Sequence, residues 1–293
     1  MKPLAAVTMV WRDYWYFEKW VGYYASQLGR ENVYILSHGA DPEIDRIGQG
    51  CNVVAILRDG LHQSFDYARW RMLSDFSAML TQFYDRVIVS DCDELLMTVD
   101  GSPLVEYPFE FQENAAGAVG FNLVATWDDE DQGALISDSK YCVFEIPHSK
   151  PCLVQRKVSF GTGGHGIMHD NFELLPGLFN LHFHFANWRE MQRREQERSP
   201  LVDETMADGV KIRKSPGQSV GIVGWRRRSR RFKRMSREMS NIPELSMQDC
   251  VELCRQEASQ TLKKMGDGYF TQDRGMEFDL KKFRFPDGFA VKI

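Results

Sequence analysis

Through its first hundred residues the chain alternates short apolar runs with amphipathic stretches. Leu4–Val10 is an apolar run of strand length. Residues 14–28 then carry Phe17, Trp20, Val21, Tyr24 and Leu28 at helical spacing, with Gly29 placed to end the helix. Val33–Leu36 and Asn52–Leu57 read as two further strands, the first closed by the turn-rich stretch Ser37–Pro42. Residues 65–83 put Phe65, Met72, Phe76, Met79, Leu80 and Phe83 on one side of a helix, and residues 86–90 form a fourth strand. The order β-α-β-β-α-β predicts an α/β fold: a Rossmann-like, mostly parallel central sheet flanked by helices. Further strands are expected at 117–126, 141–146, 152–160 and 179–186, with a glycine-rich loop at 161–166. Helices are expected at 187–198, 225–240 and 246–265, ahead of an irregular tail. Residues 199–221, with Pro200, Gly209, Pro216 and Gly217, read as a mobile loop or linker. The expected division is a catalytic unit over 1–198 and a helical C-terminal extension over 199–293.

Composition narrows this picture. With 293 residues, 43% of them hydrophobic and 12% aromatic, the chain can bury a large core, and global disorder is excluded. No stretch nears the ~18 consecutive apolar residues of a membrane span. The opening residues run straight into Trp11-Arg12-Asp13 and read as a first strand rather than a leader. The six cysteines (51, 92, 142, 152, 250, 254) form no C-x-x-C pair, which suits reduced thiols in a cytoplasmic protein. Cys250 and Cys254, four apart on a helix, suit core packing.

The chemistry concentrates where the fourth strand ends. Val87-Ile88-Val89 runs into Asp91, Asp93 and Glu94. A parallel strand delivers its C-terminal end to the ligand crevice of an open α/β sheet. Three carboxylates there repel one another and pay for desolvation unless a cation or a hydrogen-bond network compensates. A hard divalent ion carrying phosphate oxygens answers this, whereas a helix cap or turn is the plainer use of Asp. Strand alternation would set Asp91 and Asp93 about 7 Å apart on one face.

Three other stretches could join that site. In Leu178–Asn187, alternation sends Phe179, Leu181, Phe183 and Phe185 to one side and Asn180, His182 and His184 to the other, so two imidazoles could converge on a metal. Gly161–Gly166 matches G-x-G-x-x-G, but no helix follows it. It reads as a loop approaching phosphate or covering substrate, or as a plain connector, with His165 and His169 as secondary candidates. Asp128, Asp129 and Glu130, in the cluster that ends at Asp131, could supply a general base for an acceptor hydroxyl, though acids on a loop are commonly just solvated.

Net charge is −5, yet residues 225–237 hold eight Lys/Arg and no acid. As a helix over 225–239 this run would line Trp225, Phe232, Met235 and Met239 into a narrow apolar stripe inside a cationic sheath. That pattern suits an anionic membrane surface or a polyanionic acceptor, and also a solvated helix covering an acidic body. The acidic remainder argues against nucleic acid.

Together these residues resemble bacterial glycosyltransferases of the family-2-like group with a GT-A fold, over roughly 4–195. The first strand with its polar triplet is matched by Trp11-Arg12-Asp13, and the Asp-bearing turn of the second strand by Ser37–Asp41. The Gln that opens the next helix is matched by Gln63, and the Asp-x-Asp-Glu metal motif by Asp91-Cys92-Asp93-Glu94. The downstream His is matched by His182-Phe183-His184, and a second His by Gly164-His165-Gly166. The resemblance implies nucleotide contacts from Thr8, Val10, Arg12, Asp13, Asp41, Gln63, Arg69, Asp91 and Cys92. It implies Mn²⁺ or Mg²⁺ held by Asp91, Asp93, His182 and His184, and a substrate loop at Gly164, His165 and Gly166. The implied reaction moves a hexosyl group from a nucleotide-diphosphate sugar, a UDP-sugar foremost, to a hydroxyl of a saccharide or lipid-linked saccharide, with inversion. Its setting would be surface polysaccharide synthesis, in the cytoplasm and peripheral to the inner face of the membrane. The rivals are a sugar nucleotidyltransferase, a metal-dependent phosphoesterase and a non-catalytic membrane-surface binding protein. The first is disfavoured because Trp11–Trp15 is not the Gly-rich basic loop such enzymes place after strand one.

Overall fold

The computed structural model describes residues 2–58, 65–126, 135–136, 140–207, 228–273, 275–276, 278–287 and 289. The first half has the strands and the two helices its periodicity predicts, except that a short helix, Pro42–Ile47, stands in the stretch read as a turn. The helix that starts at Phe65 buries Trp70, Leu73 and Leu80, while Met72, Met79 and Phe83, expected on its apolar side, are exposed. Strand β1 (Lys2–Val10) is followed by α1 (Tyr14–Leu28), β2 (Val33–His38), α2 (Pro42–Ile47), β3 (Asn52–Ile56), α3 (Phe65–Leu80) and β4 (Tyr84–Val89). The four strands lie parallel in the order β3-β2-β1-β4. β1 is buried on both faces from Leu4 to Val10, which is why it reads as an unbroken apolar run. Because β2 and β4 lie on opposite sides of β1, the winding reverses between β1 and β4. Open α/β sheets bind ligands at such a reversal.

The second half adds β5 (Glu94–Thr98), β6 (Ala115–Ala125), β7 (Lys140–Phe144), β8 (Lys150–Val154), β9 (Ser159–Phe160), β10 (Gly166–Met168) and β11 (Phe172–Phe185). The helices α4 (Trp188–Ala207), α5 (Arg228–Glu238) and α6 (Met247–Gln260) follow, then β12 (Leu262–Lys264), β13 (Tyr269–Gln272) and β14 (Lys282–Phe283). The main sheet continues β4-β8-β6-β7-β14 through antiparallel pairs, while β11 runs parallel to β6 and antiparallel to β5. The result is a mixed α/β, Rossmann-like fold with helices flanking a curled sheet whose N-terminal half is parallel. A second, four-stranded sheet joins β12, β13, β10 and β9.

Three local expectations are corrected. Residues 199–207, read as linker, continue α4, which tolerates Pro200 inside it, so the anticipated boundary at 198 falls within a helix. The tail is also less irregular than it reads: β14 pairs with β7, and Phe283 is fully buried in the main core. The apolar stripe of the basic helix faces inward. Phe232 and Met239 are buried against Val124, Phe185 and Met191, with Met235 packed beside them, so α5 offers its cations outward but no apolar face to a bilayer. Trp225 lies outside the described residues. Among the described residues no helix is long and apolar enough to cross a membrane.

Candidate functional site

Helix α1 fixes the turn that carries the acids. Trp20 Nε1 donates to Ser90 Oγ at 3.0 Å, Tyr23 donates to Leu96 O at 2.7 Å, and Leu96 N donates to Tyr24 at 2.9 Å. All three aromatic rings are buried, so the segment from Ser90 to Leu96 is gripped on both sides of Asp91–Glu94. Ahead of α1, Arg12 and Asp13 both take left-handed backbone conformations (φ 56° and 49°). Two such residues in succession cost ~1–3 kcal/mol each and persist only where neighbours hold them. Asp13 is held by Arg194 Nη2 at 2.7 Å and by Arg198.

The ends of β1, β2 and β4 open into one cavity of about 510 Å³, completed by 145–150, the glycine loop, α4 and α5. Its acids are compensated by basic side chains. Asp91 meets Arg69 of α3 and, at 3.5 Å, Lys150 Nζ of β8. Lys150 also reaches Glu94 Oε1 at 2.9 Å, both side chains being about 2% exposed or less. Asp93 pairs with Arg194 and lies 3.4 Å from His184 Nδ1 and 3.8 Å from His182 Nε2. Burial raises the pKa of each aspartate. For Asp91 the charges of Arg69 and Lys150 outweigh it and leave the group lowered; for Asp93, Arg194 and the hydrogen bond with His184 drive it well below the usual value. Burial likewise lowers Lys150, and Glu94 and Asp91 more than reverse that. Asp66, also lining the cavity, goes the other way: burial raises it despite Arg69.

Among the described residues the anticipated ligands Asp91, Asp93, His182 and His184 do not bring three ligand atoms together around one point. Both aspartates already meet basic side chains, and His184 Nδ1 lies 2.7 Å from Arg194 Nη1 as well as 3.4 Å from Asp93. A different trio fits a cation. One ligand atom each from Glu94, His148 and His182 lies within 4.8 Å of the others. Glu94 Oε2 and His148 Nδ1 are buried with no hydrogen-bond partner among the described residues. Of the expected four, this trio keeps His182 alone.

The other expected residues divide. Val10, Asp13, Arg69, Asp91, Cys92 and His165 line the cavity. Thr8 is buried beneath it with its hydroxyl unpartnered among the described residues. Arg12 is exposed and lies over the Trp11 ring at 5.0 Å, but Arg58 takes that ring more closely, at 3.7 Å, and it is Arg58 that lines the cavity. Asp41 does not line it: it caps α2, accepting from Glu43 N at 3.0 Å, and also accepts from Tyr14 at 2.9 Å. Gln63, Asp128, Asp129 and Glu130 lie outside the described residues.

The glycine loop is shaped by packing. Gly164 (φ 63°) is buried with the Trp70 ring standing where its Cβ would be, and Gly163 and His165 reach the cavity. Gly166 belongs to β10. Phe185, expected on the core side of its strand, lines the cavity because the register of β11 shifts between His182 and Phe185.

Sequence reasoning missed Trp11, Arg58, His148, Lys150, Arg194 and Arg198. Arg58 lies just past β3, where a parallel strand's end was already a reason to look. Lys150 and His148 had no periodic signal, and Arg194 and Arg198 sit at i, i+4 on a helix read only as charged.

No family model and no curated protein matches the chain. Among solved structures, mannose-1-phosphate geranyltransferase from Thermus thermophilus superimposes with a TM-score of 0.28 at 12% identity, over 75% of this chain and 70% of that one. So loose a likeness carries nothing about chemistry.

Proposed function

We propose that the chain transfers a sugar from a nucleotide-diphosphate sugar to a hydroxyl acceptor. The observation that supports this is a single cavity at the sheet's winding reversal where the acids of one turn meet Arg58, Arg69 and Lys150, beside an aromatic wall. Its volume lies in the range of small-molecule sites. Trp11 with Arg58 stacked on it, and His38 stacked on Phe65 at 5.5 Å, offer flat faces to a nucleobase at the ends of β1 and β2. Arg58 and Arg69 carry fork-shaped donors suited to diphosphate oxygens. A divalent ion, when bound, supplies Lewis-acid stabilisation of the departing diphosphate.

The acceptor's proton goes to a carboxylate. Asp128, Asp129 and Glu130 are candidates by sequence, and Asp66 by its place in the cavity and its raised pKa. Arg230, Arg234 and Arg237 lie exposed on the outer face of α5, while Arg231 of the same helix lines the cavity. An anionic, lipid-linked saccharide would find its charge met on that side.

Nucleotidyl transfer would use the same fold, but the residues after β1 disfavour it. Trp11-Arg12-Asp13 is no glycine-rich cradle, and Asp13 is tied up with Arg194 and Arg198. Incubation with a panel of nucleotide-sugars decides the matter. Slow release of nucleoside diphosphate, at least tenfold reduced in Arg69→Met, supports glycosyl transfer. Formation of nucleotide-sugar from sugar phosphate and nucleoside triphosphate supports the rival, and release of monophosphate supports a phosphoesterase.

A further inference from the structure

We propose that Glu94, His148 and His182 form a binding site for a first-row transition-metal ion, lining the same cavity as the Asp91–Asp93 turn but using neither of its aspartates. The site's catalytic meaning rests on the nucleotide-sugar reading; its existence does not.

A chain of contacts leads from Glu145 to His182. The Glu145 carboxylate accepts from Asn122 Nδ2, which fixes the Asn122 amide with Oδ1 turned toward His182. Asn122 Oδ1 lies 2.6 Å from His182 Nδ1. An amide oxygen only accepts, so that nitrogen carries the proton and Nε2 keeps the lone pair. This is how outer-shell partners set the tautomer of a metal-ligating imidazole. Nε2 is also the nitrogen nearer the acid turn, 3.8 Å from Asp93. His148 stacks on His182 with ring centroids 3.9 Å apart, and its Nδ1 lies 3.6 Å from Glu94 Oε1.

Glu94 gives Oε1 to Lys150 and leaves Oε2 buried without a partner among the described residues, as His148 Nδ1 is. Two acceptor atoms shut away from water without a donor are unfavourable if nothing meets them. One ion meets both. Two imidazoles and one carboxylate suit Zn²⁺ or Mn²⁺ better than Mg²⁺, which prefers oxygen donors and retained water.

Electrostatics gives the site a use. Asp91, Asp93 and Glu94 are offset by Arg69, Lys150 and Arg194. A dication added beside them leaves the cavity positive, as a bound diphosphate requires.

The full-length protein, stripped with chelator, is dialysed against ZnCl₂, MnCl₂ or MgCl₂, and bound metal is counted by mass spectrometry. One equivalent of Zn²⁺ or Mn²⁺ is expected, with weaker binding of Mg²⁺. His148→Ala, which strands no buried charge, should weaken binding at least tenfold, and Glu94→Gln should do the same if it folds. Asp91→Asn should keep the ion. No stoichiometric binding, or binding lost in Asp91→Asn and kept in His148→Ala, overturns the site. The same samples are assayed for nucleoside diphosphate release. Turnover without bound metal removes the site's part in catalysis and leaves the function standing. Metal bound with no turnover of any nucleotide-sugar keeps the site and removes the function.

Discussion

Asp91 and Asp93 lie two residues apart on one turn and both line the cavity, yet Asp91 is the more open of the two and Asp93 is nearly covered. The Asp91 side chain is 26% exposed, and its partners, Arg69 and Lys150, come from elements packed directly around β4. The Asp93 side chain is 6% exposed, and its partner Arg194 comes from α4, a hundred residues on. Arg194 also holds Asp13, so the second cluster ties the start of α1, the acid turn and α4 into one knot. A motif that reads as a pair thus separates into a group open to ligand and a group that closes the fold. The motif reading gives both aspartates to an ion; exposure favours Asp91.

The largest effect that can test this contrast is in stability. Asp93→Ala removes one of the two carboxylates that hold the buried Arg194 guanidinium, the other being Asp13, and should cost about 3 kcal/mol. Denaturant unfolding measures it. A loss below ~1 kcal/mol would place Asp93 with Asp91 after all. Next comes Asp91→Asn, where about 1 kcal/mol of stability is expected to go but nucleotide-sugar turnover should fall at least a hundredfold. Unchanged turnover would return Asp91 to a structural role.

Acid offers a third cut through the same pair. Both aspartates titrate lower folded than their ordinary value of 3.8. Each therefore stabilises the fold fully above that value, and the contribution disappears as pH falls through the lower folded values. The stability gap between wild type and Asp93→Asn should accordingly be widest above pH ~5 and narrow steadily below ~4. A gap that grows with acid contradicts the pairing. The smallest expected effect is at the cavity's aromatic wall. Trp11→Ala should raise the Kd for nucleoside diphosphate by about tenfold, with little change in unfolding.

What could be read in advance follows the same division. The strands and the first helix of the parallel half were legible because each carries its own periodicity: Leu4–Val10 is apolar but for Thr8, and α1 ends at Leu28 as its spacing predicts. By contrast, α2 was too short to show one, and α3 buries Trp70 and Leu73 instead of Met72 and Met79. The acid turn was legible for the same reason, standing at the end of such a strand. The compensation was not. Lys150 is a charged residue at 1% exposure inside β8, and Arg194 finds Asp93 across 101 positions. No local pattern announces a pairing set by where two distant elements meet. The inward turn of α5 was hidden likewise, since a stripe of Phe232, Met235 and Met239 fits a protein surface as well as a bilayer.

Two residues at the chain's far end carry a liability out of proportion to their number. β14 is the only described strand hydrogen-bonded to the outer side of β7, and Phe283 plugs the core beside Phe121 and Phe179. Ending the chain before Lys282 would bare a row of amide and carbonyl groups on an apolar strand, which invites edge-to-edge association between molecules. Solubility on overexpression, more than melting temperature, is the property such a truncation should damage first.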